Sequence, residues 1–496
     1  MSDLVLAIDQ GTTGSTIALM DASGRLLTSV NHEFPQIFPQ PGWVEHDPES
    51  IWESVEKGLS AVFADGTHDA ANISAIGITN QRETAVLWDA ETGKAVHNAI
   101  VWQCRRTTDV CEKLKAEGRE SLIKARSGLV LDPYFSATKF KWLLDNGANT
   151  QDLLDQGRLR AGTIDSYLIW RLSAGQAHKT DVSNASRTSL MSLESLSWDD
   201  ELLSIFGVPR AILPEICPSS GRFAVTSGVA GLPDGIPISG VAGDQQSALF
   251  GQACFGVGDA KCTFGTGSFI LMNAGDTPVV SNSGLLSTVA WQLDGQPAVY
   301  ALEGGAFVCG AAVQWLRDQL GIIKSAPEVE ALAQTVDDAG GVEFVPALAG
   351  LGAPYWAPEA RGTLTGLTRG SGRGEIARAT LDAMALQNAE ILNAMEKDIG
   401  SRMQSLKVDG GASANNFLMQ LQADYLDRPI TRPEVIETTV AGACFLAGLG
   451  EGVWSSPDEV AKVWRSDRSF DVAITDDGRA TRFASWQAAV AKTLLS

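Results

Sequence analysis

An apolar run, Ile73 to Ile78, ends abruptly in Thr79-Asn80-Gln81-Arg82-Glu83-Thr84. The run reads as a buried strand. Directly after it stand two amides, a guanidinium and a carboxylate. Burying such charges is costly unless they are paired or given a ligand. Arginine only donates hydrogen bonds, and an ionised glutamate only accepts them. Two readings follow. Arg82 and Glu83 form an internal ion pair, or the strand end holds a small molecule rich in hydroxyl groups, which satisfies both at once.

Three further segments have the chemistry to hold phosphate: Asp9-Gln10-Gly11-Thr12-Thr13-Gly14-Ser15, Phe264-Gly265-Thr266-Gly267-Ser268 and Asp409-Gly410-Gly411-Ala412-Ser413-Ala414-Asn415. Glycine lets backbone N–H groups turn inward and approach an anion closely. Threonine and serine add hydroxyl donors, and an adjacent aspartate can hold Mg²⁺ directly or through water. None has the Gly-Lys-Ser or Gly-Lys-Thr of a Walker loop. One such turn is more often a plain hairpin. Three, one in the first half and two in the second, point to a nucleotide held in a cleft between two halves.

The elements that position these segments alternate between strand and helix. Leu4 to Ile8, Thr16 to Met20 and Arg25 to Val30 read as strands, with a turn at Asp21-Ala22-Ser23-Gly24. Asp47-Pro48 opens a helix towards Ala64, with proline at its first position. Ala85 to Trp88 with the turn Glu91-Thr92-Gly93 predicts another hairpin. After Leu232-Pro233-Asp234-Gly235 the opening logic restarts: a strand Ile236 to Val241, a helix from about Gln246, and strand–turn–strand over Lys261 to Met272. A helix is expected over Gly310 to Leu320. A third cycle has a strand Leu406 to Val408 and a helix from about Asn415. The chain therefore reads as α/β in two halves, 1–250 and 251–496, without tandem repeats or low-complexity tracts.

Composition narrows the function classes. The 496 residues exceed one ordinary core, so two domains are expected. A formal net charge of −21 argues against nucleic acid and anionic membranes as partners, and requires that any phosphate site be locally organised. The seven cysteines include no Cys-x-x-Cys pair, which argues against zinc and a disulfide framework and for a reduced, cytoplasmic setting. Met1 to Asp9 has no basic region and too short an apolar stretch for a signal peptide. The Gly/Ala-rich segment Val440 to Leu449 is too short to span a membrane.

Taken together, these strings resemble the glycerol kinases, a family of FGGY carbohydrate kinases within the actin-like ATPase superfamily. The matching segments include Asp9 to Thr13, Pro41-Gly42-Trp43-Val44-Glu45-His46-Asp47-Pro48, Gly77 to Thr84, Ala99 to Arg106, Asp132 to Ser136, Ala242 to Gln246, Gly350 to Trp356 and Val408 to Asn416. They span nearly the whole chain in the family's order. Asn-Gln-Arg-Glu-Thr and Trp-Gln-Cys-Arg-Arg are the most family-specific strings; the phosphate turns mark only the superfamily. The resemblance implies two actin-like (ribonuclease H-like) domains with the active site in the cleft between them. It implies ATP-dependent phosphorylation of glycerol to sn-glycerol 3-phosphate, the first step of glycerol catabolism, with Mg²⁺.

The roles it implies are these. Arg82, Glu83, Tyr134, Asp244 and Gln245 bind the polyol by hydrogen bonds; Trp102 and Phe269 form an apolar wall, although core packing is the ordinary reading for such aromatics. Thr12, Thr13, Gly14 and Thr16 belong to the first phosphate turn, Thr266 to the second hairpin, Gly310 and Gln314 to the helix behind it, and Gly411 and Asn415 to the adenosine side. Asp9 positions Mg²⁺, through water. Asp244 is the expected general base: a helix N-terminus stabilises the charged form there, and simple helix capping is the alternative. A homodimer or homotetramer is implied as well.

Two departures stand out. Family members usually close the first turn with an arginine where this chain has Thr16, which removes a cation from the phosphate site. Lys261 is a substitute, although a solvated hairpin lysine is the plainer reading. The loop Val229 to Ile236, at which some relatives bind fructose 1,6-bisphosphate or carry a phosphorylated histidine, has no arginine, lysine or histidine. Alternative functions are phosphorylation of another polyol or a ketopentose, or an actin-like ATPase with no small-molecule acceptor.

Overall fold

The computed structural model describes residues 4–495; Met1 to Asp3, part of the start-of-chain reading, lie outside them. Two sheets organise the molecule. In the first, the strands run in the order Ser220–Val225, Pro237–Gly243, Ile73–Asn80, Leu4–Gln10, Gly14–Asp21, Leu26–Glu33. Leu4–Gln10, Gly14–Asp21 and Leu26–Glu33 form an antiparallel meander; Leu4–Gln10 pairs parallel with Ile73–Asn80, which pairs parallel with Pro237–Gly243. The second sheet repeats the plan. Ala260–Phe264, Ser268–Gly275 and Ala298–Ala306 form the meander, joined by Leu286–Gln292, and Ala260–Phe264 pairs parallel with Leu406–Asp409, then Ile430–Pro433. Parallel strands are buried on both faces, which is why Leu4 to Ile8 and Ile76 to Ile78 read as continuous apolar runs.

Most expected elements appear with their boundaries moved by one to three residues. The first helix is Pro48–Val62, capped by Asp47, whose side chain accepts from Glu49 N–H. Helices also form at Asp244–Gly251, Gly310–Asp318 and Asn416–Leu426. The expected hairpin after Ala85 forms in abbreviated form, with Asp89 N–H donating to the Lys94 carbonyl at 3.0 Å and Val96 N–H to the Leu87 carbonyl at 2.9 Å. Val86–Asp89 also pairs along its whole length with the distant strand Leu159–Gly162, whereas the hairpin side carries the bridge Trp88 to Ala95. The longer of the strand's two ladders is the tertiary one.

The Gly/Ala-rich segment forms the helix Thr438–Gly450, which packs on the first sheet and on the Asp244–Gly251 helix although it lies in sequence between two strands of the second sheet, Ile430–Pro433 and Ser466–Phe470. Small residues make this close approach feasible: a Cβ on Gly77 would stand 2.1 Å from the Ala443 carbonyl oxygen. The helix therefore ties the two halves together immediately behind the strand ends. Among the described residues no helix is long and apolar enough to cross a membrane. All seven cysteines are unpaired.

Candidate active site

Strand register brings three segments to one edge. Gln10 is level with Asn80, and Asn80 with Gly243, so Asp9-Gln10, Asn80 to Glu83 and Gly243-Asp244 emerge side by side. Each residue of the Asn-Gln-Arg-Glu string then takes a different long-range partner. Asn80 exchanges amide hydrogen bonds with Asn184 (3.0 and 3.1 Å). Gln81 donates to Gln10 Oε1 at 2.9 Å. Arg82 binds Glu303 through both terminal nitrogens, at 2.5 and 2.9 Å. Glu83 accepts from Arg187 Nε at 2.7 Å.

The ion-pair reading of this string is realised as a network: Arg82 and Glu83 stand 3.8 Å apart, and each has a closer partner of opposite charge. Arg82, Glu83, Arg187 and Glu303 form one buried cluster, in which Arg187 also donates to Glu303 at 3.0 Å. Burial alone would raise the Glu303 carboxyl, but Arg187 and Arg82 outweigh it and hold it at about 2. With its terminal nitrogens fixed there, Arg82 presents Nε to Asp244 Oδ1 at 3.2 Å and approaches the Tyr134 hydroxyl at 3.4 Å. Its methylenes cross Gly243, where a Cβ would stand 2.7 Å from Cγ and Cδ. Glu83 is held in the left-handed region, φ 60°, an uncommon conformation for a non-glycine residue and one that collects at functional sites. The buried Lys139 secures it by donating to its carbonyl at 3.4 Å, and binds the Tyr134 carbonyl as well.

Asp244 begins the Asp244–Gly251 helix and accepts from Gln245 N–H at 2.7 Å. Its side chain is 31% exposed, so it remains accessible. The sequence expectation was that the helix end would favour the ionised form. Burial outweighs it, and the Asp244 carboxyl lies above the ordinary range despite Arg82, the Gln245 N–H and Lys261. Burial likewise pushes Asp9 up to about 6, although Thr439 donates to it at 2.7 Å; the negative Asp244 adds to the rise. Lys261 corrects the solvated-hairpin reading: it is fully buried and bonded to Gln245 Oε1 and, at 2.8 Å, to Thr263 Oγ1.

Trp102, Tyr134 and Phe269 meet edge to face, with Trp102 5.6 Å from Tyr134 and 6.4 Å from Phe269. They are half-buried rather than core, and Trp102 donates from its indole to Thr12 Oγ1 at 3.0 Å, joining the aromatic wall to the first turn. That turn is closed by Gly11 N–H to the Gly14 carbonyl at 2.9 Å, with Thr13 exposed. Thr16 lies beyond it on a strand, its hydroxyl accepting from Asn31 at 2.9 Å. In the second half, Thr266 is exposed on its hairpin, and its carbonyl accepts from Cys309 and Ala311 N–H at the start of the Gly310–Asp318 helix. Gly310 N–H donates to Gly265, and Gln314 is exposed one turn further. Gly411 is exposed, whereas Asn415 caps the Asn416–Leu426 helix, accepting from Leu418 N–H at 2.8 Å.

Sequence reasoning did not find Glu303, Arg187, Lys139 or Thr439. A signal existed for Glu303, the lone charge in the apolar strand Ala298–Ala306, which demands a buried cation. Thr439 stands at the start of a nearly continuous apolar helix and gives no comparable sign.

The chain matches two family models in sequence order. Residues 4–251 match "FGGY family of carbohydrate kinases, N-terminal domain", and residues 260–451 match the C-terminal domain of that family. A curated glycerol kinase of Bdellovibrio bacteriovorus is 58% identical over 490 residues, 99% of each chain. Glycerol kinase 2 of Thermotoga maritima is 50% identical, over 99% of this chain and 98% of its own. Among solved structures, Plasmodium falciparum glycerol kinase with ADP superposes with a TM-score of 0.94 at 35% identity, covering 100% of this chain and 99% of that one. Gluconate kinase of Lactobacillus acidophilus, at 22% identity over 99% and 98% of the two chains and a TM-score of 0.89, shares the fold. The chain belongs to the FGGY family of carbohydrate kinases.

Proposed function

We propose that this chain transfers the γ-phosphoryl group of ATP to glycerol, giving sn-glycerol 3-phosphate and ADP. The observation that carries the reading is the fixed pair of Arg82 and Asp244. Glu303 locks the guanidinium's terminal nitrogens, and Nε stands 3.2 Å from the Asp244 carboxylate at an accessible face. One hydroxyl of a polyol can accept from arginine while the next donates to the aspartate. The Trp102–Phe269 wall suits the thin apolar side of a three-carbon chain. Near-full-length relatives at 50–58% identity carry the glycerol kinase name, which favours glycerol over other acceptors.

Phosphoryl transfer asks the protein mainly to align the reactants and compensate charge. Asp244 accepts the proton of the attacking hydroxyl, and Arg82 and Tyr134 orient the polyol. The turns at Gly11 to Gly14 and Gly265 to Gly267 supply N–H and hydroxyl donors to the phosphates. Mg²⁺ fits this arrangement as a nucleotide-borne ion rather than a caged one. No group of three or more His, Cys, Asp or Glu side chains placed to hold a metal ion is present among the described residues. Asp9, however, is a carboxylate whose ionised form is under-compensated, as a site for one water-mediated contact should be. Bound there, the ion would neutralise charge developing on the transferred group.

The proposed division into 1–250 and 251–496 is supported by the first sheet ending at Gly243 and the second beginning at Ala260. Seven unpaired cysteines support a reducing, cytoplasmic setting. Coupled ADP release over a panel of polyols and ketopentoses tests the assignment. Glycerol is expected to stimulate release most strongly; a ketopentose preference, or hydrolysis indifferent to every acceptor, would overturn it.

A further inference from the structure

Two of the most recognisable strings, Pro41 to Pro48 and Ala99 to Arg106, contribute only Trp102 to the site described so far. The fold joins them. Glu45 pairs with Ile100 and His46 with Ala99 in a short antiparallel ladder. Arg106 lies between Trp43 and Trp142, at 3.9 and 4.6 Å from their ring centroids, and donates to Glu45 Oε1 at 2.7 Å. This packing fixes His46, which is fully buried, at the back of the first phosphate turn.

His46 stands between two amides. Its Nε2 is 2.7 Å from Gln36 Oε1, and its Nδ1 is 3.3 Å from Gln81 Nε2. The amides reach the turn. Gln36 Nε2 donates to the Thr12 carbonyl at 2.9 Å, and Gln81 Nε2 to the Gly11 carbonyl at 3.3 Å. These contacts fix the hydrogen-bond directions. Gln36 uses its NH₂ on Thr12, so its oxygen must accept, and His46 must carry its proton on Nε2. Gln81 Oε1 accepts from Thr84 Oγ1 at 2.9 Å, so its NH₂ faces His46; an amide nitrogen cannot accept, so Nδ1 accepts, sharing the two amide hydrogens with Gln10 Oε1 at 2.9 Å and the Gly11 carbonyl at 3.3 Å. Only the neutral Nε2–H tautomer satisfies both amides. Burial, which pushes the imidazole down to about 4, keeps it neutral at physiological pH.

All four carbonyls of the turn are held by the protein. Gly11 O accepts from Gln10 and Gln81, Thr12 O from Gln36, Thr13 O from Phe34 N–H at 3.2 Å, and Gly14 O from Gly11 N–H. Phosphate binding needs the N–H groups of such a turn and is opposed by its carbonyl oxygens. We infer that His46 is a positioning residue for phosphoryl transfer: its Nε2–H fixes Gln36, which draws back the Thr12 carbonyl, and its Nδ1 holds the Gln81 amide beside the turn, so that the turn is presented to the nucleotide phosphates. The inference rests on the kinase reading above.

The two ring nitrogens can be tested separately. In His46→Gln the side-chain amide reaches the Nε2 position and can still donate to Gln36. In His46→Asn an oxygen near Nδ1 can still accept from Gln81. His46→Leu keeps bulk and loses both bonds. Steady-state kinetics with MgATP and glycerol, together with calorimetric titration of MgADP, are the measurements. His46→Leu is expected to raise the KM for ATP and weaken MgADP about tenfold, with the KM for glycerol within twofold of wild type. His46→Gln and His46→Asn are each expected to fall between. A lowered melting temperature with an unchanged ATP KM, or equal rises in both KM values, overturns the inference. If the leucine variant does not fold, the other two decide: wild-type ATP KM and MgADP affinity in both also overturns it. Failure of the kinase reading itself is distinct, because wild type would then show no glycerol-dependent ADP formation.

Discussion

Replacing Asp9 by asparagine is expected to stabilise the ligand-free protein while disabling it. Burial and the neighbouring Asp244 raise the Asp9 carboxyl from 3.8 to about 6. A carboxylate raised in the folded state takes up protons on folding between those values, so its contribution to stability falls as pH rises from about 4 through about 6, and is level above. At 1.36 kcal/mol per pH unit the penalty approaches ~3 kcal/mol at neutral pH. Asp9 retains some contact with solvent, which reduces it to ~2 kcal/mol. Asparagine can still accept from the Thr439 hydroxyl, so little else is lost. For a unit of roughly 250 residues unfolding with about 2.1 cal/mol/K per residue, ~2 kcal/mol moves the melting temperature by about 4 °C. The assay is thermal unfolding of wild type and Asp9→Asn without ligands at pH 4 and pH 7.5. The account predicts near-equal midpoints at pH 4 and a higher midpoint for Asp9→Asn at pH 7.5, with MgATP-dependent turnover largely lost. Equal midpoints at both pH values, or a less stable Asp9→Asn protein at pH 7.5, would refute the electrostatic reasoning.

Asp244→Asn is expected to lower kcat by about 10²–10⁴, with calorimetric nucleotide affinity largely kept; near-normal kcat would remove Asp244 from proton transfer. Arg82→Ala removes one of the two arginines compensating Glu303, so it is expected to raise the glycerol KM and also to cost ~3–5 kcal/mol of stability, read by kinetics and by melting. An unchanged melting temperature would show that the buried cluster rearranges. Thr16→Arg replaces a hydroxyl bonded to Asn31 with a long cation; a lower ATP KM would show that the missing arginine is a loss, and an unchanged one that the site is built without it. Fructose 1,6-bisphosphate is expected to leave glycerol-dependent ADP release unchanged into the millimolar range, because the Val229 to Ile236 loop offers Asp234, bonded to Gly228 N–H at 2.7 Å, and no basic residue. Saturable inhibition that does not compete with ATP would point to a basic site elsewhere.

The parts of this site that were legible in the sequence are those encoded locally. A continuous apolar run followed by Asn-Gln-Arg-Glu marks a buried strand with a polar end whatever surrounds it. The Gly-Thr turns and the Asp47-Pro48 helix start carry their conformational reasons within a few residues. Partners set by tertiary structure were not legible. Arg82 and Glu303 are 221 residues apart, and Glu83 and Arg187 are 104 apart, so neither pairing has a periodicity to betray it. Lys261 stands in a hairpin strand that looks half-exposed, but it is fully buried and bonded to Gln245 and Thr263. The hairpin after Ala85 was legible from its turn, but the longer partner of Val86–Asp89, the distant strand Leu159–Gly162, was not. The Asp244 carboxyl lies above its ordinary range despite the helix end, because the cost of desolvating it exceeds what Arg82, the Gln245 N–H and Lys261 return.

The most direct test is to follow the phosphorus. Wild-type protein is incubated with MgATP and glycerol, and the products are resolved by ³¹P NMR with stereochemical analysis of the organic phosphate. The account predicts ADP and sn-glycerol 3-phosphate in equal amounts, with little inorganic phosphate and no such product from Asp244→Asn on the same timescale. ADP accompanied only by inorganic phosphate, or a phosphate ester found only when another polyol or a ketopentose replaces glycerol, would contradict it.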